Sequence, residues 1–378
     1  MGKMLDDQVV IARRDPDGAL AVIREVAEQT LWEAEIENFA ENSGERNSSS
    51  ALQNDKDSRK ESGARSFANV VLAGMGGSAL AGEILASVLR DELKIPFVIS
   101  RDYDLAKFVD ARSLVILVSV SGNTEETLTC FAESLKVGAT VFAIASGGKL
   151  IDLARENSVP FIQLQKISQP RYGVIMHLRA IAKILETVNL VENYSAKIAS
   201  FHDDLAEFVA KLLPEIATEN NLAKQIAEFC DDKTPITYAS SRFSPLAYKW
   251  KISFNENAKN CAWMGTLPEF SHNEFIGWTA EPERKDFAIL DLRSDLDLAR
   301  NNLRFELSAK LLRENRPAPL SIWLEGKTML EQMVRGCALA DFASIYLGIL
   351  NNVNPTPVVL VEELKKELAK KWWYVKSR

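Results

Sequence analysis

Cysteine and histidine are scarce in this 378-residue chain, which holds four of the first and three of the second. Cys130, Cys230, Cys261 and Cys337 lie far apart and form no CxxC pair. That spacing argues against a structural zinc site and for a reducing, cytoplasmic setting. His177, His202 and His272 show no metal-ligand spacing either. No uninterrupted apolar run approaches the roughly 20 residues that a membrane helix needs. The opening "MGKMLDDQVVIARRDPDG" lacks a signal-peptide core. Basic residues are outnumbered, 45 Lys and Arg against 52 Asp and Glu, for a net charge of −7. Such a balance disfavours nonspecific nucleic-acid binding but leaves room for a small anion held locally.

What remains is ordinary globular material, 47% hydrophobic and 26% charged, long enough for two domains. Residues 1–40 read as a helical arm, because "ALAVIREVAEQTLWEAEI" spaces its apolar residues by three and four. Residues 41–66 are polar and nearly free of aliphatics, the composition of a mobile linker or insert. An α/β pattern fills 67–192. The runs "NVVLA", "PFVIS", "LVILV" and "TVFAIA" do not alternate, as expected of strands buried on both faces, and helical stretches separate them. A long helix over about 172–189 closes this unit. A second unit, 193–354, repeats the order after a helical stretch: "PITYAS", a helix over 245–259, "CAWMG", "FAILDL", a helix near 296–314, "LSIWL", and a long helix to about 350. Residues 355–378 read as a final helix after proline punctuation. Alternating strands and helices predict an α/β fold with two parallel, doubly wound sheets, related by a fold-level duplication.

Ligands of such sheets bind beyond the carboxyl ends of the strands. Three loops leave those ends in the first unit: "GMGGS" (74–78), "SVSGNT" (119–124) and "ASGGK" (145–149). Each is rich in glycine and serine and leads into a helix, whose first N–H groups and dipole favour an anion. Ser78, Ser119, Ser121 and Thr124 add neutral donors, so the set suits a phosphate. Taken alone, Thr124 is a plain helix N-cap and Ser121 a member of a local turn. A dinucleotide site competes, since "GMGGSA" fits G-x-G-x-x-A and Asp102 lies where a ribose partner would sit, with Arg101 beside it. In the second unit Glu256 of "FNENAKN" reads equally as a solvated carboxylate near Lys259. His272 of "LPEFSHNEF" reads equally as a histidine without a role.

Together, "GMGGSALAGE", "SVSGNTEETL", "ASGGKL", "NENAK" and "LPEFSHNEFIGW" resemble the bifunctional phosphoglucose/phosphomannose isomerase family of two-lobed sugar-isomerase (SIS) proteins. The likeness runs from "MLDDQVVIARRD" to "LVEELKKEL", apart from the 41–66 insert, which is longer than the family pattern. It implies two SIS subdomains with flavodoxin-like sheets, and a metal-independent, cofactor-free isomerase of hexose 6-phosphates. Glucose 6-phosphate and mannose 6-phosphate would interconvert with fructose 6-phosphate. The resemblance puts the phosphate on Ser78, Ser119, Ser121 and Thr124 with the Gly77 backbone nearby. It makes Glu256 the base that moves a proton between C1 and C2, and His272, from the other subunit of a homodimer, the ring-opening group. Arg171 in "QPRYG" matches the family's arginine near O1 and O2, though "SQPRYGVIMHL" is less orthodox than the other motifs. Lys365 in "EELKK" matches a ring-opening lysine, with Lys366 adjacent, and Thr356 is a pocket candidate. The alternatives are a noncatalytic SIS module that binds a sugar phosphate and regulates a partner, and an amino-sugar phosphate isomerase. A regulator would not need Glu256 and His272 in their family context.

Overall fold

The computed structural model describes residues 4–39, 66–279 and 286–370. Most of the polar 41–66 stretch therefore lies outside the described residues. The chain divides into two compact units, one of residues 28–203 and one of residues 1–27 with 204–378.

The N-terminal segment is not one helical arm. It forms α1 (Gln8–Arg14) and α2 (Ala19–Arg24), then a single 3-10 stretch, Val26–Thr30, and continues as irregular chain. The break is at "DPDG". Gly18 takes a left-handed conformation, φ 69°, and the Asp15 carboxylate accepts the Ala19 and Leu20 N–H groups at 2.8 and 2.9 Å. A side chain thus satisfies donors that a continuing helix would have paired.

The first unit follows the predicted alternation. Strands β1 (Asn69–Gly74), β2 (Phe97–Ser100), β3 (Ser113–Val118), β4 (Thr140–Ala145) and β5 (Phe161–Gln163) pair in the order β2-β1-β3-β4-β5, all parallel. β1 and β3 are buried at every position, which is why their sequences run apolar rather than alternate. The connecting helices are α3 (Gly76–Val88), α4 (Glu125–Lys136), α5 (Lys149–Glu156) and α6 (Val174–Thr187). Val71, Val115, Val141, Phe131 and Ile151 form one cluster between sheet and helices. The three-residue β5 is an element the periodicity did not mark.

Three helices, α7 (Tyr194–Ala199), α8 (His202–Ala210) and α9 (Leu222–Cys230), occupy the region read as helical; the division between units falls within α8. In the second unit β6 (Thr234–Ser240), β7 (Trp263–Leu267), β8 (Phe287–Arg293) and β9 (Leu320–Trp323) are again parallel, in the order β7-β6-β8-β9. The two orders share one winding, with the first strand of each sheet between its second and third. β7 begins two residues later than "CAWMG" suggested and ends at Leu267, just before Pro268. The helices are α10 (Ser244–Asn257), the short α11 (Glu274–Gly277), α12 (Ala299–Leu311), α13 (Met329–Leu350) and α14 (Val359–Ala369).

α13 is long and apolar enough, by length and composition, to cross a membrane, which a search for uninterrupted apolar runs overlooked. Within its most apolar window 89% of the residues are buried inside the protein. It is capped reciprocally: the Thr328 hydroxyl accepts the Glu331 N–H at 3.2 Å, and the Glu331 carboxylate accepts the Lys327 N–H at 2.7 Å. α13 is tied to α10 by a buried ion pair, Lys249 Nζ to Asp341 Oδ1 at 2.6 Å, which also receives the Ser253 hydroxyl at 3.1 Å. Side-chain exposures are 0% for Lys249 and 6% for Asp341. Removing one partner strands a buried charge, whereas replacing both with apolar side chains does not. Asp341→Ala is expected to cost about 3–5 kcal/mol in urea unfolding, and Lys249→Met with Asp341→Leu much less.

Candidate active site

The loops of the first unit converge at the carboxyl edge of its sheet, at the point where strand order reverses between β1 and β3. Gly74 and Val118 are register partners there. β1 leaves into α3, whose first residues are Gly76, Gly77 and Ser78; Ser78 is buried. A Cβ built on Gly77 would lie 3.5 Å from the Arg171 Cα, so the α3 entry packs against the turn Pro170–Tyr172. Arg171 itself is 2% exposed. Its guanidinium donates to Gln169 Oε1 at 3.0 Å and lies 4.8 Å from the centre of the Tyr172 ring.

After β3 the chain turns at Gly122. The Ser119 and Thr124 hydroxyls hydrogen-bond each other at 2.8 Å. Thr124 precedes α4, but its side chain makes no cap to that helix, so the plain N-cap reading does not describe it. Ser121 behaves partly as the local-turn reading held, accepting the Asn123 N–H at 3.3 Å. The third loop locks onto the second. Gly122 has φ 66°, and a Cβ there would stand 1.8 Å from the Gly147 carbonyl oxygen; no other residue fits. Asn123 Oδ1 accepts the Lys149 N–H at 3.2 Å, and the Gly122 carbonyl accepts the Leu150 N–H at 2.9 Å. Gly77, Ser78, Ser119, Ser121, Thr124 and Arg171 are thus gathered in one unit. Hydroxyls and helix-end N–H groups at this edge can hold an anion without a metal. Of the residues named for the rival dinucleotide reading, Asp102 accepts the Tyr103 N–H at 2.7 Å, and Arg101 pairs with Glu83 of α3.

The remaining candidates lie in the second unit, and the sheet keeps two of them apart. Glu256 is half-buried in the last turn of α10. That turn sits at the amino edge of the sheet, where Asn260 Nδ2 donates to the Lys233 carbonyl just before β6 at 2.9 Å. His272 is exposed beyond the carboxyl end of β7, where Ser241, just after β6, donates to the Leu267 carbonyl at 3.0 Å. The five residues of β7 separate the two edges by roughly 15 Å at the rise of an extended strand. Lys259 Nζ donates to the Glu256 backbone carbonyl at 2.7 Å and to the Pro355 carbonyl at 2.8 Å, which joins the end of α10 to the Thr356 segment. Lys365 and Lys366 are both exposed on α14, so exposure does not choose between them.

A family model described as the bacterial phospho-glucose isomerase C-terminal SIS domain matches residues 219–368. The bifunctional phosphoglucose/phosphomannose isomerase of Caldicellulosiruptor bescii is 33% identical over 303 residues, which is 79% of this chain and 89% of the relative. The chain belongs to the bifunctional phosphoglucose/phosphomannose isomerase family. The family enzyme of Aquifex aeolicus is 31% identical, over 80% of this chain and 91% of its own length. The fold is shared with a glucose-6-phosphate isomerase like protein from Thermus thermophilus, at a TM-score of 0.61 and 16% identity, covering 96% of this chain and 98% of that one.

One neighbour of the hydroxyl loops in this family member carried no mark in the sequence. His177 of α6 is 0% exposed and faces the Gly77 backbone, yet neither ring nitrogen reaches hydrogen-bond geometry. Burial pushes the imidazole down from 6.5 to about 4, so it is neutral in the folded protein. Its folded value lies below its unfolded one. Its contribution to stability is therefore complete above pH 6.5 and lost as pH falls towards 4. Urea unfolding is expected to lose about 3 kcal/mol over that interval through this group alone. His177→Gln should flatten the acid limb by a similar amount; an unchanged limb would show that the ring protonates without cost.

Proposed function

We propose that the chain is an aldose–ketose isomerase that interconverts glucose 6-phosphate and mannose 6-phosphate with fructose 6-phosphate. The observation that carries this reading is family membership together with Glu256, His272 and the hydroxyl cradle in one chain. The phosphate is held by the Ser78, Ser119, Ser121 and Thr124 hydroxyls and the Gly77 N–H. Ring opening moves a proton from the anomeric hydroxyl and delivers one to the ring oxygen. His272, whose imidazole can both accept and donate a proton, does this with help from Lys365. The Glu256 carboxylate then takes the C2 proton, and the electron pair passes to C1 and its oxygen as an enediolate. Arg171 stabilises the charge developing on O1 and O2. The O2 hydroxyl proton passes to O1 as C2 becomes the carbonyl, and Glu256 returns its proton to C1, giving the ketose. The intermediate is planar at C2, so C2 epimers pass through the same species.

The working enzyme is a two-fold homodimer whose sites are shared. Glu256 and His272 of one chain stand at opposite edges of one sheet, which supports a site built from Glu256 of one subunit and His272 of the other. The apolar face of α14, with Leu360 80% and Leu364 60% exposed, supports a second copy as well.

Fructose 6-phosphate incubated with the protein in EDTA is expected to yield both glucose 6-phosphate and mannose 6-phosphate. Glu256→Gln should keep the fold and lose activity by about 10³-fold. A folded Glu256→Gln protein with full activity would remove the mechanism. No product with intact sugar-phosphate binding would favour the regulatory module. Turnover of glucosamine 6-phosphate instead would favour the amino-sugar reading.

Mixing separates shared from unshared sites. Glu256→Gln and His272→Ala are each expected to keep only a small, measurable residual activity alone. Random reassociation of the two should restore about a quarter of wild-type activity, since half the dimers are mixed and each has one intact site. No restoration after verified subunit exchange would place both residues in one chain's site.

A further inference from the structure

The histidine assigned to ring opening is exposed and sits in a loop, yet the residues around it are unusually well fixed. Tyr238, at the centre of β6 and 1% exposed, donates its hydroxyl to Glu274 Oε1. Glu274 is two residues from His272, so anchoring it confines the His272 Cα to within about 7 Å. Gly265 on β7 makes the pair possible: a Cβ there would lie 2.6 Å from the Tyr238 ring and 3.2 Å from Glu274 Oε2. On the other side of His272, Phe270 packs edge-on against the same Tyr238 ring, at 4.9 Å between centres. The Arg316 guanidinium, 6% exposed, lies 5.6 Å from the Tyr238 and Phe270 rings and 5.9 Å from that of Trp278. Asp291, the register partner of Tyr238 on β8, supplies the opposing charge. Burial pushes its carboxyl up to about 6 against the pull of Arg316 and Arg293.

A phenylalanine at 238 and a leucine at 274 would fill this space with no polar group to satisfy. A buried hydroxyl bonded to a half-buried carboxylate is instead directional, and the pair selects one placement of the loop. Resting on the isomerase reading above, we propose that Tyr238 and Glu274, with Arg316 stacked against the aromatic rings, are positioning residues that set where the His272 imidazole meets the sugar ring. They touch no substrate and act only through His272. The cradle that binds phosphate belongs to the other unit, so losing the clamp affects turnover rather than binding.

The test uses the full-length protein, hexose 6-phosphate kinetics and urea unfolding. Tyr238→Phe keeps the ring and removes only the hydroxyl. It is expected to lower kcat about tenfold, with KM within about twofold, because a small misplacement of a proton-transfer group is costly. Glu274→Ala should match it, the double variant should fall no further, and Glu274→Gln, which still accepts the tyrosine hydroxyl, should recover most of the loss. Enzyme-catalysed anomerisation of glucose 6-phosphate should fall in parallel. In a His272→Ala background Tyr238→Phe should have no further effect, which a general loss of folding would not reproduce. An unchanged kcat, a rise in KM alone, or the same loss in the His272→Ala background would overturn the role. Wild-type protein that turns over no hexose 6-phosphate would overturn the activity and the role together. An active wild type with unaffected variants would overturn the role alone.

Discussion

Parallel pairing is the constraint from which the rest follows. A parallel strand must leave the sheet at the edge where its neighbours leave, and a helix must carry the chain back. In the first unit this delivers three loops and three helix starts to one edge beyond Gly74, Val118 and Ala145. Nothing else need bring Gly77, Ser119 and Gly147 together. In the second unit the same rule separates two residues. α10 must end at the amino edge and β7 at the carboxyl edge, so Glu256 and His272 part company however the side chains pack.

The cradle at the first edge is built from neutral donors. Hydroxyl pairs such as Ser119 with Thr124 can reorient to donate to an incoming anion, and helix-end N–H groups need no desolvation of a full charge. The loops hold their places through backbone bonds, the Asn123 side chain and the missing side chain of Gly122. The second unit carries a buried ion pair at Lys249 and Asp341 and a buried carboxylate at Asp291. These fix helix and loop directions there, at the cost of desolvation that must be offset by near-ideal geometry.

Much of the fold was legible because strands buried on both faces read as unbroken apolar runs. "LVILV" and "TVFAIA" are β3 and β4 almost residue for residue. β5 was not legible, since three residues carry no period. The arm was misread because Pro16 and Gly18 were passed over within an otherwise helical pattern, and the Asp15 cap that follows from them was missed with them. The loops at the carboxyl edge of the first sheet were legible as glycine and hydroxyl clusters after strands. Glu256 was not: it lies at the amino edge, where a rule about carboxyl ends does not look, and only likeness to a family singled it out. His177 and the Tyr238–Glu274 pair depend on contacts between residues far apart in sequence, or on burial, and neither leaves a local signature.

The central claim is that a carboxylate at Glu256 moves a proton through an enediolate. Solvent-hydrogen exchange tests it most directly. Fructose 6-phosphate is incubated in deuterated water with wild-type and Glu256→Gln protein, and label at C1 of the ketose and C2 of the aldose is followed by NMR. Wild-type protein is predicted to introduce deuterium at both carbons, and the variant at neither while still binding sugar phosphate. Full isomerisation with no label at either carbon, or undiminished labelling by the folded variant, would contradict the account.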